Sequence, residues 1–408
     1  VSASPCGVTD TFLFKKFNLF FRGPRRSGGD LSRLEQKVIM ASSNEYGARK
    51  AARGHWAKRF LGGSSLTAVA FLALSSPARA DDLYWDANAS AVGSGGSGNW
   101  NVTGALWSQS NSDVLGPFVA WNNNPANPDN AIFGVSAAGV SSTSGTVALT
   151  QPITAHNLTF QSVGGWVLSG NTLTLAGANP TITTTTGATI NSVLAGTAGL
   201  VKTGGAALTL GGANTFSGGI TINAGTLTAA SDAALGAASN TITTAAGATV
   251  GFGLASGTTN RSIAIGTGGT LNLSGAGAGA ALISGTGNVN VATGVTMSND
   301  ANTYDGVTRF SACNGVCSTA FTSIGNLGEA SSLGAPTTVA NGTIIWNQSS
   351  QYTDNLNYVG DGDQSNRDWI FNANTTGTFV NGGSGTLALT GTFVINGAAR
   401  FVAEQADF

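Results

Sequence analysis

Cys313 and Cys317 enclose Asn314-Gly315-Val316, the tightest cysteine spacing in the chain. In an exported protein such a pair reads as one disulfide closing a small surface loop, with free thiols as the alternative. A metal site would need further His or Cys ligands, and none lies near in sequence. The loop is so short that the bond would pin local shape rather than hold the fold, its entropic gain falling below the ~3 kcal/mol of a fifteen-residue loop. His156 is the only histidine after residue 80, and a Ser-His-Asp triad would have to use it. Thr154-Ala155-His156-Asn157-Leu158 reads as a strand, however, and no Gly-x-Ser-x-Gly elbow follows residue 80 to supply a nucleophile. A structural or exposed histidine is expected.

Gly93-Ser94-Gly95-Gly96-Ser97-Gly98 has the spacing of a dinucleotide-binding loop, but Asn99-Trp100-Asn101 follows where a phosphate-holding helix should start. It reads as a flexible turn, and no cofactor is expected. Asp361-Gly362-Asp363, with Asp354 and Asp368 near, offers oxygens of the kind calcium takes. The repeated nonapeptide of calcium-binding β-rolls is missing and the matching stretch Gly257-Thr258-Thr259 has no acid, so a solvated turn is favoured. The same acids could form a carboxylate pair for glycoside or uronide cleavage. A lyase would also want clustered bases, and after residue 80 the only cations are Lys202, Arg261, Arg309, Arg367 and Arg400, spread over the length. Trp85, Trp100, Trp107 and Trp121 suit a sugar-stacking platform less well than a plug for the open end of a stacked fold. Phe216 and Tyr304 read as filling. No catalytic, cofactor-binding or metal-binding residue is assigned.

The elements that would hold these residues follow from composition. Of 408 residues 59 are glycine and 9 % are charged, which excludes a coiled coil and a charge-driven disordered chain. No apolar run reaches the ~18 residues of a membrane-spanning helix. Before Asp81 there are 13 Lys/Arg and 4 Asp/Glu; from Asp81 onward there are 5 and 15. Residues 40–80 have the layout of a secretory signal: Arg49, Lys50, Arg53, Lys58 and Arg59, then the apolar stretch Leu66 to Leu74, then Ala78-Arg79-Ala80 as a small-x-small cleavage site that leaves Asp81 as the new N-terminus. Residues 1–39 precede Met40 and read as an extension from a start placed too far upstream. The acidic exported part argues against a nucleic-acid partner.

From Asp81 onward, Ile220-Thr221-Ile222, Thr226-Leu227-Thr228 and Leu271-Asn272-Leu273 alternate apolar and polar and are closed by glycine or Asn-Gly-like turns, so the region is all-β. It also repeats itself. Ala213-Asn214-Thr215-Phe216 returns as Ala301-Asn302-Thr303-Tyr304, Ala234-Leu235-Gly236 as Ser332-Leu333-Gly334, and Asn260-Arg261-Ser262-Ile263 as Asn366-Arg367-Asp368-Trp369. The order is kept and the offset grows, as in a duplicated unit whose second copy gained insertions. Short strands, tight turns and recurrent Asn suit a right-handed parallel β-helix, a solenoid with inward ladders of like residues. At roughly 22 residues per coil it would have about 15 coils and be on the order of 70 Å long.

Gly199 to Leu210, with Lys202-Thr203-Gly204, then Asn214-Thr215-Phe216, Ile220-Thr221-Ile222 and Gly225-Thr226-Leu227, closely resembles the autotransporter-associated β-strand repeat of bacterial autotransporter passengers. A weaker copy runs from Gly285 to Ile345, without the lysine-threonine-glycine opening. Trp85-Asp86, Gly98-Asn99-Trp100, Leu106-Trp107, Ala120-Trp121 and Ala131 to Gly134 are similar to the tryptophan-rich start of such passengers. The resemblance implies export by the general secretory machinery, passage through an outer-membrane translocator barrel and display at the cell surface. No succession of ten-residue amphipathic strands for a barrel occurs before Phe408, so a truncated passenger or export by other means is expected.

The resulting organisation is an upstream extension (1–39), a signal (40–80), a Trp-containing capping part (81–198) and the repeats (199–408). The expected function is a non-enzymatic stalk for surface display or adhesion, with a host or cell-surface glycan or protein as ligand. A secreted β-helix enzyme acting on polysaccharide and a non-functional fragment of a broken gene are the alternatives.

Overall fold

A computed structural model describes residues 80–403, apart from 88, 90–93, 112–116, 136–140, 312–316, 348–353, 373–376 and 398. The chain divides into Val1–Leu72 and Ala73–Phe408, and all described residues belong to the second part. The upstream extension, the signal with Ala78, and Cys313 lie outside them.

A segment such as Leu158–Phe160 or Ile220–Ile222 buries its first and third side chains and turns a threonine outward. Two apolar side chains cannot hold a strand by themselves, so each segment is held by the one stacked above and the one below. The longest stack is a 13-stranded sheet running from Gly98–Trp100 to Phe393–Asn396, parallel throughout. At ~4.8 Å per strand it spans about 58 Å. Its inward ladder includes Trp166, Ala188, Leu208, Leu227 and Phe252, then Leu273, Val291, Phe310, Trp346 and Phe371, each the register partner of the next. Successive partners lie about twenty residues apart, but the step from Phe310 to Trp346 is far longer and contains the insertion expected in the second copy.

An 11-stranded sheet forms another side of the coil, including Leu158–Phe160, Leu200–Thr203, Ile220–Ile222 and Ser262–Ile265. The third side changes along the rod. It begins as the strands Ile153–Ala155, Leu173–Leu175 and Leu194–Ala195, continues as loops with the short 3-10 helices Asp232–Leu235 and Ala276–Ala280, and becomes a 5-stranded sheet from Thr296–Met297 to Ala399–Ala403.

The N-terminal end is closed by a change of direction. Asp82–Trp85 pairs antiparallel with Trp107–Ser108, which pairs antiparallel with Phe118–Val119, so the sheet edge is covered by turned-back chain. Trp85, Trp100, Trp107 and Trp121 are at most 2 % exposed. Their rings pack at 4.7 to 5.2 Å between centroids.

The duplicated unit keeps its local geometry but not its side. Thr215 and Ser217 donate backbone N–H to Leu194 on the three-stranded sheet and to Gly196 just past its strand end, whereas Thr303 and Asp305 donate to Ile283 and Gly285 on the 11-stranded sheet. The strand after the first motif, Ile220–Ile222, joins the 11-stranded sheet, and the strand after the second, Thr308–Phe310, joins the 13-stranded one. The second copy is turned one side around the coil. One local expectation is corrected: His156 and Asn157 form a corner between Ile153–Ala155 and Leu158–Phe160, because Asn157 uses its amide to bind Asn130 rather than extending a strand.

Candidate functional site

Three long polar side chains, those of Lys202, Arg261 and Arg367, are spent inside. Lys202 occupies an inward position of the 11-stranded sheet, with Ile182 below it and Ile222 above. It is fully buried. Its ammonium donates to the carbonyls of Thr203 and Gly204, both at 2.8 Å, and of Ala224 at 3.0 Å. Those carbonyls reach it because the chain turns at Gly204 with φ +78°, where a Cβ would meet the Thr184 carbonyl oxygen at 2.3 Å. Burial without a carboxylate partner pulls the Lys202 ammonium down to about 8.

Arg261 is the second internal cation. Nε donates to Asp232 Oδ1 at 2.8 Å and Nη2 to Oδ2 at 3.0 Å, while the same guanidinium caps the carbonyls of Asp232, Gly236 and Ala237 around the 3-10 turn. Hydrogen bonding to Arg261 holds the Asp232 carboxyl below its usual range. Arg367, the residue matched to Arg261 by the repeat, is 1 % exposed and donates to the carbonyls of Gly342 and Leu333. Burial pulls its guanidinium down to about 10, so it is charged at neutral pH.

Buried asparagines complete the stapling. Asn214 accepts from the Leu194 N–H at 2.7 Å and donates to the Ala234 carbonyl. Asn302 does the same one copy later, accepting from Ile283 at 2.7 Å and donating to Ser332. Tyr304 fills the place of Phe216, and its hydroxyl is 2.7 Å from Thr308 Oγ1; burial pushes its phenol up to about 12. An amide satisfies a donor and an acceptor on adjacent coils at once, which is why loops with no ladder of their own still stack.

The residues singled out for chemistry are not brought together. His156 is half-buried; its Nε2 lies 3.1 Å from the Ala178 carbonyl and its Nδ1 3.3 Å from the Asn157 amide. Asp363 accepts from the Tyr358 hydroxyl at 2.9 Å and from the Ile324 N–H, and Asp361 accepts from Ser384. Among the described residues no group of three metal-ligating side chains forms. Ser94–Gly95 is a short strand paired with Ser142–Thr143 rather than the start of a phosphate loop. The tryptophans are sealed in the N-terminal plug, out of reach of a ligand. Cys317 opens the strand Cys317–Phe321. Sequence reasoning missed the inward cations, although the recurrence of Asn-Arg within the repeat was the available signal.

Among the described residues Lys202, Arg261 and Arg367 are therefore internal, while Arg309 is half-exposed on an outward strand position. The arrangement defines a stacked parallel solenoid whose polar machinery holds the backbone together. Residues 200–229, which contain Lys202, Gly204, Asn214 and Gly225, match the passenger-associated-transport-repeat family. The chain is 48 % identical over 328 residues to the adhesin BmaC autotransporter of Brucella suis, an alignment covering 80 % of this chain and 9 % of that protein. No solved structure matches the chain. The described solenoid is an autotransporter passenger-type domain, and the chain spans about a tenth of the length of the curated relative it matches.

Proposed function

We propose that this chain is exported and presented at the cell surface, where its solenoid works by contact, as an adhesive stalk, and performs no catalysis. The observation that carries this reading is its identity with a segment of a protein described as an adhesin. Two features support it. Lys202, Arg261 and Arg367, three of the cations a polysaccharide-cleaving site could have used, are committed to backbone carbonyls and to Asp232, and the stacked ladders make a stiff spacer.

In this reading residues 40–80 are a signal removed after Ala80, with residues 1–39 outside the translated precursor. Residues 81–198 cap the rod and 199–408 form its repeats. The general secretory machinery carries the chain across the inner membrane, and an outer-membrane translocator barrel carries it across the outer one. The coils wind right-handed, as nearly all parallel crossovers do. Cys313 and Cys317 close the loop that precedes the strand Cys317–Phe321 as a disulfide. The ligand is a glycan or protein on a host or neighbouring cell.

The test is attachment of beads coated with residues 81–408 to host cells, with uncoated beads as reference. Saturable attachment is expected, abolished by free protein in solution. Equal attachment of coated and bare beads, or release of reducing ends from a polysaccharide panel, would overturn the reading. Sequencing of the exported protein should begin at Asp81.

A further inference from the structure

The two internal arginines are the same device built twice, and the second has lost a part. In the first copy Thr259 Oγ1 accepts from the Arg261 N–H at 3.3 Å; in the second Ser365 Oγ accepts from the Arg367 N–H at 3.3 Å. Ala237 N–H donates to the Phe216 carbonyl, and Ala335 N–H to the Tyr304 carbonyl. Gly236 and Gly334 turn with φ of +75° and +80°. With the frame matched, the position of Asp232 falls to Ala330, which is exposed. The nearby acid, Glu329, is used elsewhere, accepting from the Asn326 N–H.

The consequence is visible on the guanidinium. Arg261 presents Nε and Nη2 to the two oxygens of one carboxylate. Arg367 presents Nε to the Gly342 carbonyl at 2.8 Å and Nη1 to the Leu333 carbonyl at 2.7 Å, and its buried Nη2 has no partner among the described residues. A carbonyl offers one oxygen where the carboxylate offered two, and it brings no opposite charge. The indole N–H of Trp369, two residues on, is also buried without a partner among the described residues. In a stack where each coil touches only its neighbours, such a defect is felt locally.

We infer that the solenoid opens locally at the Arg367 staple before it opens at the Arg261 staple, and that the replacement of the acid by Ala330 is the cause. Opening there releases the segment from Ala330 to Gly342, hydrates the guanidinium, and uncovers Tyr304 and Leu333, while the coils of the first copy stay closed.

Hydrogen exchange of the folded chain, read on peptides spanning 333–345 and 365–372 against 233–245 and 261–268, tests this. The second pair should exchange more slowly than the first. Ala330→Asp, at an exposed position, should slow exchange around 333–345 by about ten-fold or more while leaving 233–245 unchanged, as expected for restoring a partner to a buried charge. Asp232→Ala should speed exchange around 233–245 alone. Arg367→Met separates charge from shape: it should protect 333–345 at least as well as Arg367 does, whereas Arg261→Met should expose 233–245. If Ala330→Asp leaves exchange around 333–345 unaltered, or if Arg367→Met opens its coil as much as Arg261→Met opens the other, the inference falls and fraying from the C-terminal coils explains any difference between the copies.

Discussion

Lys202, Asn214 and Asn302 each bury a polar group inside the solenoid, and each does so to satisfy backbone atoms of two coils. For Lys202 burial penalises the charged form, so its folded value near 8 lies below the ~10.4 of an unfolded lysine. The unfolded chain then binds more protons between those values, and stability rises as pH climbs from 8 towards 10.4, by roughly 3 kcal/mol at most. Lys202→Met should remove that rise, as measured by urea midpoints of both proteins at pH 7.5, 9 and 10. Asn214→Ala strips a buried N–H and a buried carbonyl of their partners and should cost about 1–3 kcal/mol. Asn302→Ala should cost a similar amount, since its two bonds are the same; equilibrium unfolding checks both. That the chain on either side of His156 is strand was legible from its alternation. The inward direction of Lys202 was not, because a lone lysine in an alternating segment reads as a solvated residue.

At the scale of elements, period-two alternation was enough to read short strands, and recurrence of Asn-Thr-aromatic was enough to read a duplication. Two features were out of reach. The corner at His156–Asn157 depends on an Asn130 that lies far off in sequence. The one-side displacement of the second copy depends on how many residues each coil takes, and that varies with turns and insertions that alternation does not encode. Glycine count alone also hides which turns are sterically demanding. Gly204 and Gly247 both have positive φ, +78° and +68°, but a Cβ at Gly247 would meet nothing within 4 Å. Gly247→Ala should therefore cost about 1 kcal/mol of left-handed strain. Gly204→Ala should cost at least ~2 kcal/mol more, because its clash is with backbone that cannot rotate away. Thermal unfolding by circular dichroism separates the two.

For the whole solenoid, end closure and charge placement matter most. Trp107 packs against Trp85, Trp100, Trp121 and Phe133, so Trp107→Ala should lose about 3–5 kcal/mol and leave the N-terminal edge prone to association. Light scattering on warming would show it. With Lys202, Arg261 and Arg367 inside, the exported chain has few cations to offer a polyanion, and it should not be retained on heparin even at low salt. The displacement of the second copy has a further effect. A partner creeping straight along the axis would pass from one kind of terrain to another, and only one that winds with the staples would stay on familiar ground. Any footprint longer than a few coils should trace a spiral path.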